Sequence, residues 1–243
     1  AGNVISGEQF IRYKPLFGAR LDMSHPLARG LVGCWLFNEN GGMRLQDISP
    51  YGNHGLLSGF PPGMTRSHIA LWFDGSNDLI DCGTPALLNL TDALSLIAWI
   101  HVSAIAGATP PRLFSKNDTA GWMFFVDLNV VPKCYAESTE YTFGAPNGSL
   151  DTWYNFILTF DKNPASGNFK LYTQGVLIGS ANRNTALPST AANALILGNT
   201  AAGNRPLDGL YGEACIYNRA LTAQEVKMLF ANPHAPGGQS LFM

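Results

Sequence analysis

Oxygen-bearing side chains gather twice along this chain of 243 residues. The first group is the loop Asp47-Ile-Ser-Pro-Tyr-Gly-Asn53-His-Gly55, where Asp47 and the carbonyls near Asn53 suit a hard cation. Calcium takes six or more oxygens, mixing carboxylates with backbone and amide carbonyls. The same residue types also make Asx turns, which would leave the loop self-contained. The second group is Asp74, Asn77, Asp78 and Asp81. Asp74-Gly75 reads as a tight turn, so turn chemistry is the expectation there.

Hydrolytic and nucleophilic signatures do not occur. The chain has no His-Glu-x-x-His, no Gly-x-Ser-x-Gly and no phosphate-cradling glycine loop. Its six glutamates are Glu8, Glu39, Glu137, Glu140, Glu213 and Glu225, and its five histidines are scattered. His101 falls inside an apolar run and reads as structural. A sugar site needs exposed aromatic faces beside hydrogen-bonding groups. Trp122, Tyr141 and Tyr154 are the candidates for it, whereas Trp35, Trp72, Trp99 and Trp153 follow strand patterns and read as core.

Bulk properties narrow the classes further. Apolar residues make up 46% of the chain and charged residues only 13%, so the surface is expected to be rich in Ser, Thr, Asn, Gly and Ala, or covered by partners. A formal net charge of −2 gives no drive towards nucleic acid. No apolar stretch is long enough to span a bilayer as a helix. Cys34, Cys82, Cys134 and Cys215 form no Cys-x-x-Cys pair, which argues against zinc. They are expected to be buried free thiols, matured in a reducing cytosol.

The elements that must position these groups are short strands. Apolar runs separated by Gly, Pro, Asn and Asp predict strands over Leu31–Phe37, Ala70–Phe73, Leu79–Cys82, Leu94–Val102, Arg112–Ser115, Trp122–Leu128, Lys133–Ala136, Trp153–Phe160, Phe169–Thr173, Val176–Ser180, Ala194–Leu197 and Leu210–Tyr217. Gln174-Gly175 joins two of them as a hairpin turn. Phe156, Leu158 and Phe160 share one face, with Asn155 and Thr159 on the other. Leu96-Ile-Ala-Trp-Ile100 is apolar on both faces, as in a central strand covered twice. One helix is signalled by Thr222 as N-cap, Glu225 three residues on, Leu221 against Val226, and the stripe Val226, Leu229, Phe230. Asn232-Pro233 stops it. Residues 1–29 read as an extended arm lying on its own domain or on a neighbour, residues 30–232 as one domain, and residues 233–243 as a tail. The pattern specifies an all-β, two-sheet antiparallel jelly-roll sandwich with one short C-terminal helix.

Several motifs in order carry a resemblance. They are Gly33-Cys-Trp-Leu-Phe-Asn-Glu39, the Asp47–Gly55 loop, Leu71-x-Phe-Asp-Gly-x-Asn-Asp-x-Ile-Asp81, Leu96–Ile100, Trp153–Asp161, Lys170-Leu-Tyr-x-x-Gly175, Leu197-Gly-Asn199 and Gly212–Glu225. Over about residues 30–230 the chain resembles the laminin-G-like, concanavalin A-like jelly-roll family. The resemblance implies that first and last strands pair, which brings Glu213 beside Asp47 and Asn53 as a structural calcium set. Glycan-cleaving enzymes on this scaffold use a Glu-x-Asp-x-x-Glu strand, and this chain has none. Lys14-Pro-Leu-Phe-Gly18 and Ser24–Trp35 look like phage-encoded single-domain members of the family.

The expectation is therefore a non-catalytic structural or attachment protein of a bacteriophage virion, as head decoration or as accessory tail or adhesin component. It would be assembled in the host bacterial cytoplasm. Its partners would be capsid or tail proteins, as a homo-oligomer such as a trimer, gripped through Phe10, Tyr13, Leu16, Phe17, Leu241 and Phe242. The alternative is a glycan-binding lectin-like module, with or without calcium, that meets host-surface glycans. A hydrolase with an unrecognised site is a third reading.

Overall fold

The computed structural model describes residues 14–15, 17–61, 69–106, 109–117 and 119–231. Fifteen strands form two antiparallel sheets. The seven-stranded sheet contains β1 (Leu31–Trp35), β4 (Leu71–Asp74), β6 (Ala93–Ala104), β11 (Trp153–Asp161), β12 (Phe169–Thr173), β13 (Val176–Ala181) and β15 (Asp208–Tyr217). Its order is β1-β15-β6-β11-β12-β13, with β4 also paired to β15. The eight-stranded sheet contains β2 (Arg44–Leu45), β3 (Gly55–Ser58), β5 (Leu79–Asp81), β7 (Arg112–Lys116), β8 (Trp122–Val126), β9 (Pro132–Ala136), β10 (Thr139–Tyr141) and β14 (Ile196–Leu197). Its order is β10-β9-β8-β7-β14-β5-β3-β2. The jelly-roll expectation holds, and the sequence pattern misses only β2, β3 and β10.

Alternation explains what each face buries. Phe156, Leu158 and Phe160 of β11 enter the core between the sheets, together with Leu96, Ala98 and Ile100 of β6, Phe73, Phe114, Phe124 and Tyr211. Odd-numbered Ile97 and Ile157 point the other way, onto the outer face of the seven-stranded sheet. They are covered there by Leu21, Leu27 and Ala28 from the chain before β1, and by Val226 of helix α1 (Ala223–Ala231). Trp99 is covered by Phe230 of α1, with stacked rings 6.0 Å apart. That double cover is what the two-faced apolar run of β6 predicts. Between β12 and β13, Gln174 and Gly175 both have positive φ, at 51° and 75°, as a two-residue hairpin loop requires.

Over its described part, the segment read as an extended arm packs on its own domain. Its Lys14 ammonium donates to the carbonyls of Ile69 and Gly212. Burial lowers the Lys14 pKa to about 7, against the opposing pull of Glu213 and Glu39. Leu21, Leu27 and Ala28 are buried, and only Phe17 of the named grip residues is described there, 58% exposed. Phe10, Tyr13, Leu16, Leu241 and Phe242 lie outside the described residues. Among the described residues no helix is long and apolar enough to cross a membrane.

Helix α1 starts as its sequence dictates. The Glu225 N–H donates to Thr222 Oγ1 at 3.2 Å, and the Thr222 N–H donates to Glu225 Oε2 at 2.8 Å. This is a closed capping box. Arg219 Nη2 pairs with Glu225 Oε1 at 2.7 Å. Replacing Thr222 by Ala is expected to cost about 1 kcal/mol, read as a lower urea midpoint at unchanged slope.

Candidate functional site

The Asp47 loop is a clasp made by the chain for itself. Cys34 N–H and Ser49 N–H each donate to Asp47 Oδ1 at 2.8 Å. Asn53 N–H donates to Oδ2 at 2.7 Å, and Ser49 Oγ does so at 2.6 Å. Asn53 is equally committed: its Nδ2 donates to Val32 O at 2.8 Å, and its carbonyl accepts from Trp35 Nε1 at 2.9 Å. Glu213 is buried and faces the Lys14 charge. Asp47 and Asn53 are thus held by the loop's own hydrogen bonds, as in the Asx-turn reading, and Glu213 lies near Lys14. Among the described residues no group of three or more His, Cys, Asp or Glu could hold a metal.

The second oxygen cluster is also turn chemistry, as expected. Ser76 N–H donates to Asp74 Oδ1 at 2.9 Å, Asp74 N–H donates to Asp78 Oδ2 at 3.0 Å, and Gly75 has φ +75°. Burial raises the Asp78 pKa to about 6.

Of the three aromatics read as sugar platforms, Trp122 needs correcting, and Tyr141 and Tyr154 are half-buried. Trp122 is 3% exposed and belongs to the core between the sheets. Tyr141 packs on Phe169, and its hydroxyl accepts from Arg183 Nη1 at 3.3 Å. Tyr154 stacks on Phe156, and its hydroxyl accepts from Ser149 N–H at 2.8 Å. Trp72, read as core, faces out and is 47% exposed. Strand β4 alternates, so Leu71 and Phe73 enter the core and Trp72 must face away. That alternation was the available signal. Register lines Trp72 up with Leu210, His101 and Trp153 across β4, β15, β6 and β11.

A better-built concavity lies on the opposite sheet. Pairing lines up Asp81, Ile196, Ser115, Met123 and Tyr135 across β5, β14, β7, β8 and β9. Ile196 and Met123 are buried, yet they stand apart from the core between the sheets. They therefore form the floor of the outer face. Over it opens a pocket of about 220 Å³, lined by Ser115, Asn117, Asn193, Ile196, Thr200 and the small residues Ala194, Ala201 and Ala202.

One wall of the pocket is the loop from Gly198 to Leu207. Its ends close through Leu207 N–H donating to Gly198 O at 2.8 Å. Fully buried Asn199 braces it from inside, accepting from Thr200 and Arg205 N–H and donating to Asp78 O. Thr200 Oγ1 donates to Asn204 Oδ1 at 2.7 Å. A loop so braced presents Ala201 and Ala202 as a fixed rim. On the other wall Asn117 Oδ1 accepts from Thr119 and Ala120 N–H, and its Nδ2 reaches Asn193 Oδ1 at 3.5 Å.

Beyond the floor, Arg112, Phe125 and Tyr135 form a layered stack. The Arg112 guanidinium lies 4.5 Å from the Phe125 ring centre, and Phe125 stacks on Tyr135 at 5.3 Å. Lys133 pairs with both Asp127 and Glu140, at 3.2 and 3.0 Å. The charge of Lys133 is therefore compensated. The pocket sets hydroxyl and amide groups over an apolar floor, with half-buried Tyr135 two strands away in the same row. Sequence reasoning missed all of it, because its polar members are ordinary loop and strand residues far apart in the chain.

Fold and pocket together define a two-sheet antiparallel β-sandwich module. The family model Laminin_G_3, of the concanavalin A-like lectin/glucanases superfamily, matches residues 74–227, and the chain belongs to that family. No curated protein sequence matches it. Among solved structures it is similar to domain 4 of AbnA, an extracellular arabinanase from Geobacillus stearothermophilus, determined in complex with arabinotriose. Identity is 22%, the TM-score is 0.60, and 82% of this chain and 97% of that one are covered. It is also similar to Trypanosoma rangeli sialidase, at 20% identity and a TM-score of 0.61, over 83% of this chain but 32% of that one. A botulinum neurotoxin type C structure, whose cell entry depends on two ganglioside molecules, matches at 13% identity and a TM-score of 0.60, over 86% and 53%. Neither the fold nor these neighbours bears on the virion setting with its capsid or tail partners.

Proposed function

We propose that this protein is a non-catalytic glycan-binding module whose site is the pocket on the outer face of the eight-stranded sheet. The observation that carries the reading is the meeting of Ser115, Asn117, Asn193 and Thr200 over an apolar floor, with Tyr135 in the same cross-strand row. Hydroxyl and amide groups beside apolar surface and an aromatic face suit a sugar, which has polar edges and an apolar ring face. A pocket of about 220 Å³ has room for one sugar ring, so the remainder of an oligosaccharide would run along the Met123–Tyr135 row. The AbnA domain was determined with a neutral oligosaccharide bound, and the described residues lining this pocket are all uncharged, which favours the same ligand class. An attachment role on a virus particle would use the same surface.

Titration calorimetry of the full chain against a panel of neutral oligosaccharides, arabino-oligosaccharides included, tests the reading. Filling the rim with Ala201→Trp is expected to weaken binding about 100-fold, and Asn193→Ala about tenfold. Trp72→Ala, on the opposite sheet, leaves affinity unchanged. The panel is recovered uncleaved after long incubation. If no saccharide binds, or Trp72→Ala abolishes binding while Ala201→Trp does not, the pocket assignment fails.

A further inference from the structure

We propose that Cys34 and Cys215 are a cross-linking site that joins the first and last strands of the sandwich by a disulfide. The two residues are direct partners in the antiparallel register of β1 and β15. Directly opposed residues in such a pair have Cα atoms about 4.5–5.5 Å apart, inside the range of about 4.4–6.8 Å that a disulfide bridges. Both side chains point to the same side, into the cluster beneath Leu21, Leu27, Ala28 and Val226. Their sulfurs touch at 2.7 Å. Cys82 and Cys134 belong to the other apolar cluster, between the sheets, and supply internal controls.

The reaction takes two protons and two electrons from the two thiols as the S–S bond forms. A low-molecular-weight disulfide such as oxidised glutathione accepts them and leaves as two thiols. Both cysteines are buried, and burial pushes both thiols up, with Glu213 Oε1 3.5 Å from the Cys215 sulfur. Few thiolates form in the closed fold, so the bond closes before the chain preceding β1 and helix α1 cover the pair. The free-thiol expectation then describes Cys82 and Cys134 alone.

The test is to refold the full chain in a glutathione redox couple, then unfold it without reductant and alkylate it. The expected product is about 2 Da lighter than the reduced chain before alkylation. It carries alkyl groups on Cys82 and Cys134 only, and its digest yields one peptide pair joined through Cys34 and Cys215. The link spans 181 residues of chain. A loop of that size is expected to raise the melting temperature by roughly 10 °C over the reduced protein. Cys34→Ala and Cys215→Ala should each abolish the difference between oxidised and reduced samples. If either variant fails to fold, the peptide map of the parent chain decides alone. Alkylation of all four cysteines after oxidative refolding, or a bond that uses Cys82 or Cys134, overturns the proposal.

Discussion

Replacing Asp47 by Ala should lower the unfolding free energy by about 3–5 kcal/mol and the melting temperature by about 10 °C. The carboxylate accepts from the backbone N–H groups of Cys34, Ser49 and Asn53, and from the Ser49 hydroxyl. Cys34, Ser49 and Asn53 are all buried, so water does not readily replace the lost acceptor. Each orphaned N–H then carries a desolvation cost of about 1–3 kcal/mol. The damage spreads to β1, because Asn53 also holds Val32 O and receives Trp35 Nε1. Asp47→Asn keeps one acceptor oxygen and should lose about half as much. Equilibrium urea unfolding measures both. Neither EDTA nor added calcium should shift the parent's melting temperature. A calcium-dependent shift of several degrees would show that Asp47 binds a cation in preference to these donors.

The second large effect has the opposite sign: Lys116→Met should stabilise the protein by roughly 3 kcal/mol at neutral pH. Lys116 is 0% exposed, and its ammonium finds no acceptor among the described residues. Burial lowers its pKa from 10.5 to about 8. Below pH 8 the folded chain carries the full penalty of an unpaired buried ammonium. Between about 8 and 10.5 the folded lysine has lost its proton while the unfolded one still holds it. The parent's stability therefore rises with pH through that window. Met fills much of the same volume without a charge and removes this rise. Lys14, lowered to about 7, adds a rise of the same sign that persists in the variant. Unfolding free energies measured from pH 7 to 10.5 on both proteins separate the two contributions. An unchanged pH slope in Lys116→Met would show that the ammonium already reaches solvent.

The body of the fold was legible because period-two alternation in long strands such as β11 reports burial directly. What stayed hidden follows a physical pattern. Strand β2 has two residues, too few for a period, and β10 is a polar edge, Thr-Glu-Tyr. Leu56 of β3 faces solvent, so its apolar character misleads. Trp122 was read as a surface ring because residue type was weighed over position in an apolar run covered on both faces. Trp72 failed the other way, although Leu71 and Phe73 already fixed its direction. The pocket was invisible for a different reason. Ser115 and Asn193 become neighbours only when β14 pairs with β7, which local sequence does not encode.

Pairing of β1 with β15 puts the segment before β1 and helix α1 on one sheet, opposite the pocket. Lys14 is moored at Gly212 of the seven-stranded sheet, and α1 lies on that sheet's outer face. The pocket opens through the other sheet. Anything attached to α1 would leave the pocket facing away from it. Immobilising the protein through an exposed position of α1, such as Met228, is therefore the natural geometry for a capture assay.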